Sequence, residues 1–132
     1  MTTTAPYDKT NIFARILRGE LPCKKVFENE FALAFEDIHP SAPVHVLVIP
    51  KGEFVSFDDF AAKASEVMQA GFWRAVGTVA RQTGVDKTGY RIVANHGADA
   101  HQIVFHFHVH VIGGRQLSSK MANMPKELPQ TA

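Results

Sequence analysis

"VFHFHVHVIGGR", Val104 to Arg115, sets three of the chain's seven histidines on alternate positions and closes on a Gly-Gly-Arg. Alternation is the mark of a strand, in which successive side chains point to opposite faces. The segment is therefore predicted as a strand, with His106, His108, His110 and Ile112 on one face. Phe105, Phe107, Val109 and Val111 fall on the other, which reads as a core face. The histidine face needs its own account, because an imidazole is costly to bury unless its nitrogens find partners.

Working outward, "YRIVAN" (Tyr90 to Asn95) reads as the preceding strand. The loop "HGADAHQ" is so short that the two strands should run antiparallel. Further upstream, Ala64, Met68, Phe72, Ala75, Val76 and Val79 form one stripe at helical spacing. They predict a single long helix from about 60 to 82, capped by Asp58 or Asp59 and ended by Gly84. "VHVLVIP" (Val44 to Pro50) is a third strand, rich in β-branched residues. "KKVFEN" and "FALAFED" make a hairpin turning at Glu28-Asn29-Glu30. Ile12, Phe13, Ile16 and Leu17 give a short N-terminal helix, with Gly19 and Pro22 as stop signals.

The predicted fold class is α+β: a five-stranded antiparallel sheet with one long helix and a short N-terminal helix. It forms a single domain over 1–132, with 1–9 and 117–132 as flexible or partner-contacting tails. One long helix cannot cover both faces of such a sheet, so a homodimer with a larger shared sheet is expected.

Composition narrows the function. The chain has 132 residues, 45% of them hydrophobic and 20% charged, with a formal net charge of +1. That is ordinary globular composition, and it argues against an electrostatic grip on nucleic acid. No apolar run approaches membrane-spanning length, and the start "MTTTAPYDKT" lacks the apolar core of a secretory signal. Cys23 is the one cysteine, so no intrachain disulfide is possible. A cytoplasmic protein with no nucleic-acid and no membrane partner is the expectation.

Three imidazoles in register suit two chemistries. As metal ligands, neighbours on one face lie roughly 6.6 Å apart, so two could share an ion. His106 and His110, roughly 13 Å apart along a strand, make a three-histidine site awkward. A further ligand would come from His45, Asp37 or His101. Alternatively, one imidazole is a nucleophile toward phosphorus, since much of it is neutral at pH 7. Its neighbours would then bind the nonbridging oxygens and supply a proton to the leaving group.

"HFHVHVI" resembles the His-x-His-x-His-x-x motif of the histidine triad superfamily. The stretch "NIFARILRGELPCKKVFENEFALAFEDIHPSAPVHVLVIPK" is similar to that family's N-terminal half, and "YRIVANHGADAHQ" to the loop before the triad. "GGR" is similar to its Hint branch. The resemblance implies a purine nucleoside phosphoramidase that releases a nucleoside monophosphate through a nucleotidyl-histidine. His108 would be the nucleophile, and His106 would orient it through a backbone carbonyl. His110 would contact phosphate oxygens, and His45 matches a fourth active-site histidine. Ile12, Phe13, Ile16, Phe35, Ile38 and Leu47 match the slot for the base, and Asp37 the carboxylate that reads the ribose. Asn95, Gln102 and Ile103 match positions near the phosphate and leaving group. A purine nucleotide is the implied substrate, with no cofactor and no metal.

The chain departs from that pattern at three places. Asn11 and Ala14 stand where some relatives carry the Cys-x-x-Cys of a structural zinc. Ile103 replaces a polar residue, and the tail after Arg115 lacks the tryptophan-containing end of animal relatives. The alternatives are a dinucleoside polyphosphate hydrolase or nucleotidyltransferase, and a nucleotide-binding regulatory module with incidental hydrolysis.

Overall fold

The computed structural model describes residues 6–119. Its elements, in chain order, are α1 (Ile12–Leu17), β1 (Lys25–Glu28), β2 (Ala32–Glu36), β3 (Val44–Pro50), α2 (Phe57–Lys63), α3 (Glu66–Thr83), β4 (Tyr90–Val93) and β5 (Val109–Gly113). The five strands form one antiparallel sheet in the order β1-β2-β3-β5-β4. This is the predicted α+β class.

Register divides the sheet into two apolar faces. Ala32, Ala34, Val46, Val48, Val109 and Val111 pack with Phe72, Val76 and Val79 of α3. Phe107 completes this core, stacked on Phe60 at 4.8 Å between ring centres and 5.4 Å from Phe72. Each fully buried phenylalanine contributes about 1.5–3 kcal/mol of transfer free energy. On the other face Leu33, Phe35, Leu47 and Ile49 pack against Phe13 of α1. His45 and His110 share this second face. His45 pairs with Ile112 and His110 with Leu47, so the two imidazoles are diagonal neighbours across β3 and β5.

Three expectations are corrected. The long helix is two helices, broken at Ala64, whose backbone is extended. Ser65 restarts the helix by accepting from the Met68 N–H, and Gln69 Nε2 donates to the Ala61 and Ala64 carbonyls that the break orphans. The hydrophobic stripe continues across the break, which is why periodicity alone hides it. The caps are also serines. Ser56 opens α2 by accepting from Asp59 N, while Asp58 and Asp59 lie inside its first turn. Gly84, in the left-handed conformation, does end α3.

The third correction touches the histidines. β5 begins only at Val109, so His106 and His108 precede the strand, and Phe105 is exposed instead of lying on a core face. The ladder between β3 and β5 stops at Val48 and Val109. Farther along β3 stands Pro50, which has no N–H to offer a partner. The chain turns away there and is held by other bonds: Phe107 N to Phe54 O at 2.7 Å and His106 Nε2 to Pro50 O at 2.9 Å.

Candidate active site

The buried histidines His45, His106, His108 and His110 are all partnered, and their hydrogen bonds fix the neutral tautomers. His108 Nδ1 lies 2.7 Å from the His106 carbonyl oxygen. A carbonyl only accepts, so Nδ1 carries the proton and the neutral ring keeps its lone pair on Nε2. The chain bends at 104–106 just before β5, and the His106 carbonyl meets the ring two positions on.

A second relay runs through the sheet. Ser41 N donates to His45 Nδ1 at 2.9 Å, so His45 carries its proton on Nε2. That nitrogen lies 2.9 Å from His110 Nδ1 and 3.3 Å from Asp37 Oδ2. His45 thus donates its proton to the His110 imidazole with the Asp37 carboxylate close beside it, and neutral His110 carries its own proton on Nε2. Burial pushes the His45 pKa down to about 4, against the opposing pull of Asp37 and with the help of His110. His45 is therefore neutral at pH 7, and its contact with Asp37 is not a pairing of two full charges.

Asp37, His45 and His110 present ligand atoms within 4.8 Å of one another, so they are the residues that could hold a metal ion. The Ser41 N–H opposes it. A metal at His45 Nε2 would move that ring's proton to Nδ1, against an N–H donor 2.9 Å away. The trio fits a proton held on His45 Nε2 and donated to His110 better than a cation. His101, the other candidate ligand, is exposed in the loop before the triad and does not join the group.

The Gly-Gly-Arg has a structural reason. Val85 packs so closely on Gly113 that a Cβ there would fall 2.8 Å from its Cγ1, and Gly114 takes a φ of +91°. Arg115 Nη2 then reaches the Ser41 carbonyl at 2.9 Å, tying the end of β5 to the loop that serves His45.

The residues expected to line a base slot, Ile12, Phe13, Ile16, Phe35 and Leu47, come together in one apolar cluster. Phe13 meets the His108 ring edge-on, 5.0 Å between centres. Ile38 is exposed, directly after buried Asp37, whose Oδ1 accepts from His39 N at 2.7 Å. Asn95 is half-buried in the loop between β4 and β5, and Ile103 is exposed. Gln102 is buried and committed to backbone. Its Oε1 accepts from Gly97 N, and its Nε2 donates to the carbonyls of Val55 and Val104. It shapes the loop by these bonds.

Sequence reasoning missed Tyr7, which lies within the stretch 1–9 read as a tail. Its hydroxyl is 2.6 Å from His106 Nδ1. No periodicity could have flagged it, because the contact joins residues 99 positions apart. The tail residues from 120 onward lie outside the described residues.

The HIT domain family model matches residues 18–117. An uncharacterized HIT-like protein of Azospirillum brasilense is 61% identical over 111 residues, covering 84% of this chain and 91% of its own length. The crystal structure of a HIT family hydrolase from Legionella pneumophila superposes with a TM-score of 0.77 at 37% identity, over 83% of this chain and 97% of that one. A histidine triad nucleotide-binding protein from Candida albicans gives 0.70 at 25% identity, over 86% and 88%.

Proposed function

The chain belongs to the HIT domain family, and on that footing we propose that it hydrolyses purine nucleoside phosphoramidates and related adenylylated compounds. The Hint-type reading of Gly113-Gly114-Arg115 agrees with this, as does the nucleotide-binding character in the name of the Candida protein.

One observation carries the proposal: the bond from His108 Nδ1 to the His106 carbonyl, which aims the lone pair of Nε2 as a nucleophile. Nε2 forms a bond to the α-phosphorus while the P–N bond breaks. The amine leaves with the electron pair and takes up a proton from solvent, and the hydrolytic water returns one to solvent in the second step. Positive charge appears on the His108 ring, and the His106 carbonyl stabilises it. Water then attacks phosphorus, His108 departs with its electron pair, and the monophosphate is released. His110, with its proton on Nε2, donates to a phosphate oxygen. Phe13, Phe35 and Leu47 form the floor for the base, edged by Ile12, Ile16 and Ile38, and Asp37 accepts from the ribose hydroxyls. Asn95, Gln102 and Ile103 belong to the loop on the phosphate side.

Nitrogen is a poor leaving group until protonated, so a site of several histidines suits a P–N bond. Arg115 commits Nη1 and Nη2 to the carbonyls of Gln116 and Ser41, so it makes a poor clamp for a polyphosphate chain. The test is a substrate panel with wild-type and His108→Ala protein. An adenosine phosphoramidate should be turned over faster than a dinucleoside polyphosphate. His108→Ala should lose on the order of a thousandfold or more in kcat while still binding the monophosphate. Preference for the polyphosphate, or near-normal turnover by the variant, would reject the proposal.

A further inference from the structure

We propose that Tyr7 is a positioning residue for the nucleophile, acting through His106. Tyr7 stands before the span matched by the family model, which begins at residue 18. The inference rests on His108 being the nucleophile.

His106 is 0% exposed and both its ring nitrogens are engaged. Nε2 donates to the Pro50 carbonyl at 2.9 Å, so Nδ1 has only a lone pair and must be an acceptor. The Tyr7 hydroxyl, 2.6 Å away, is its donor. The tyrosine ring also meets the imidazole edge-on, with centres 5.6 Å apart. His106 is thereby held from two sides, by β3 through Pro50 and by the N-terminal segment through Tyr7. Its carbonyl is the group that accepts the hydrogen bond from His108 Nδ1. Any rotation of the His106 residue moves that carbonyl and so changes the aim of His108 Nε2.

Tyr7 is itself firmly mounted. Asp8 Oδ1 accepts from Thr10 N and Thr10 Oγ1, and the Asp8 carbonyl accepts from Asn11 N and Asn11 Nδ2. Asn11 in turn caps α1 through Ala14 N. Phe13, on the first turn of α1, touches both His106 and His108. One turn thus places Tyr7 on the orienting histidine and Phe13 on the nucleophile.

The aim of the carbonyl matters most when charge develops on His108, which happens in the reaction and not on binding. Removing the hydroxyl should therefore lower kcat and leave KM alone. Tyr7→Phe keeps the ring and deletes the donor. The expected result is a kcat lower by about three- to tenfold, as for loss of one neutral hydrogen bond, with KM within about twofold. Ring-nitrogen NMR of the full chain gives an independent reading. In wild type, His106 Nδ1 should be unprotonated and hydrogen-bonded. In Tyr7→Phe its resonance should move downfield as the bond is lost, and the His108 Nδ1 proton should shift or exchange faster. Unchanged kcat, or unchanged His108 ring signals, would overturn the proposal, as would a wild-type His106 protonated on Nδ1. If the wild type fails to cleave phosphoramidates, the substrate assignment falls, and the ring signals alone decide whether Tyr7 holds His108.

Discussion

His45 Nε2 lies 2.9 Å from His110 Nδ1 and 3.3 Å from Asp37 Oδ2. His45 stands between the residue assigned to the ribose and the residue assigned to the phosphate, bonded to the latter and close to the former. The two halves of a bound nucleotide would therefore meet one buried cluster on one face of the sheet.

The first consequence is a pH window for stability. Burial holds His45 and His106 each at about 4, below the 6.5 of an unfolded imidazole. Between those values the unfolded chain binds more protons than the folded one. Stability is therefore full above about pH 6.5 and falls as the pH drops toward 4. The Lys51 and Lys25 partners of Glu28 hold that carboxyl down at about 2, so its contribution is lost only below about 4.5. Denaturation midpoints measured at pH 7.5, 6.5, 5.5 and 4.8 should decline through the last three. A flat profile down to pH 4.8 would show that neither imidazole is held neutral.

Asp37 should affect more than the sugar. Asp37→Asn should cost a ribonucleotide substrate about 1–3 kcal/mol of transition-state binding, the range for hydrogen bonds to charged groups. A 2′-deoxyribonucleotide should lose less, but not nothing, because the change also alters the partner of His45. Paired kcat/KM values on the two sugars check this, and equal losses would take Asp37 out of the ribose contact.

Activity should be indifferent to metal removal. The Ser41 N–H on His45 Nδ1 disfavours a cation at the Asp37, His45 and His110 group. Dialysis against a strong chelator should leave turnover unchanged, and elemental analysis should find no stoichiometric zinc. Activity lost to the chelator and restored by zinc would reverse the assignment.

The chain should pair with a second copy through α3 and β4. Ile92, opposite Val111 in the ladder, is 47% exposed on edge strand β4, and Tyr90 and Trp73 are 39% and 37% exposed. An edge strand with apolar residues beside a helix is a surface that association would cover. Sedimentation at micromolar concentration should give a dimer, and Ile92→Lys should shift it toward monomer. A wild-type monomer at that concentration would exclude the pairing.

What the sequence determined by itself was local in origin. The β-branched run in "VHVLVIP" and the apolar spacing in Ile12 to Leu17 act over a few residues, so the strands, the short helix and the antiparallel sheet were readable. The triad motif pointed to the family, which the match over residues 18–117 bears out. Tertiary structure decided the rest, because a strand needs a partner and a hydrogen bond needs two ends. The alternation from Val104 to His108 continues the strand pattern, yet the ladder ends because Pro50 brings no N–H to meet it. The helix breaks at Ala64 and restarts at Ser65 beneath a stripe that periodicity carries across unbroken. The tautomers of His45 and His108 depend on a backbone N–H and a carbonyl whose positions no residue type encodes. Tyr7 reaches His106 across 99 positions of chain, because the turn at Asp8 and Asn11 docks the N-terminal segment against the sheet. No local pattern of sequence could hold that distance.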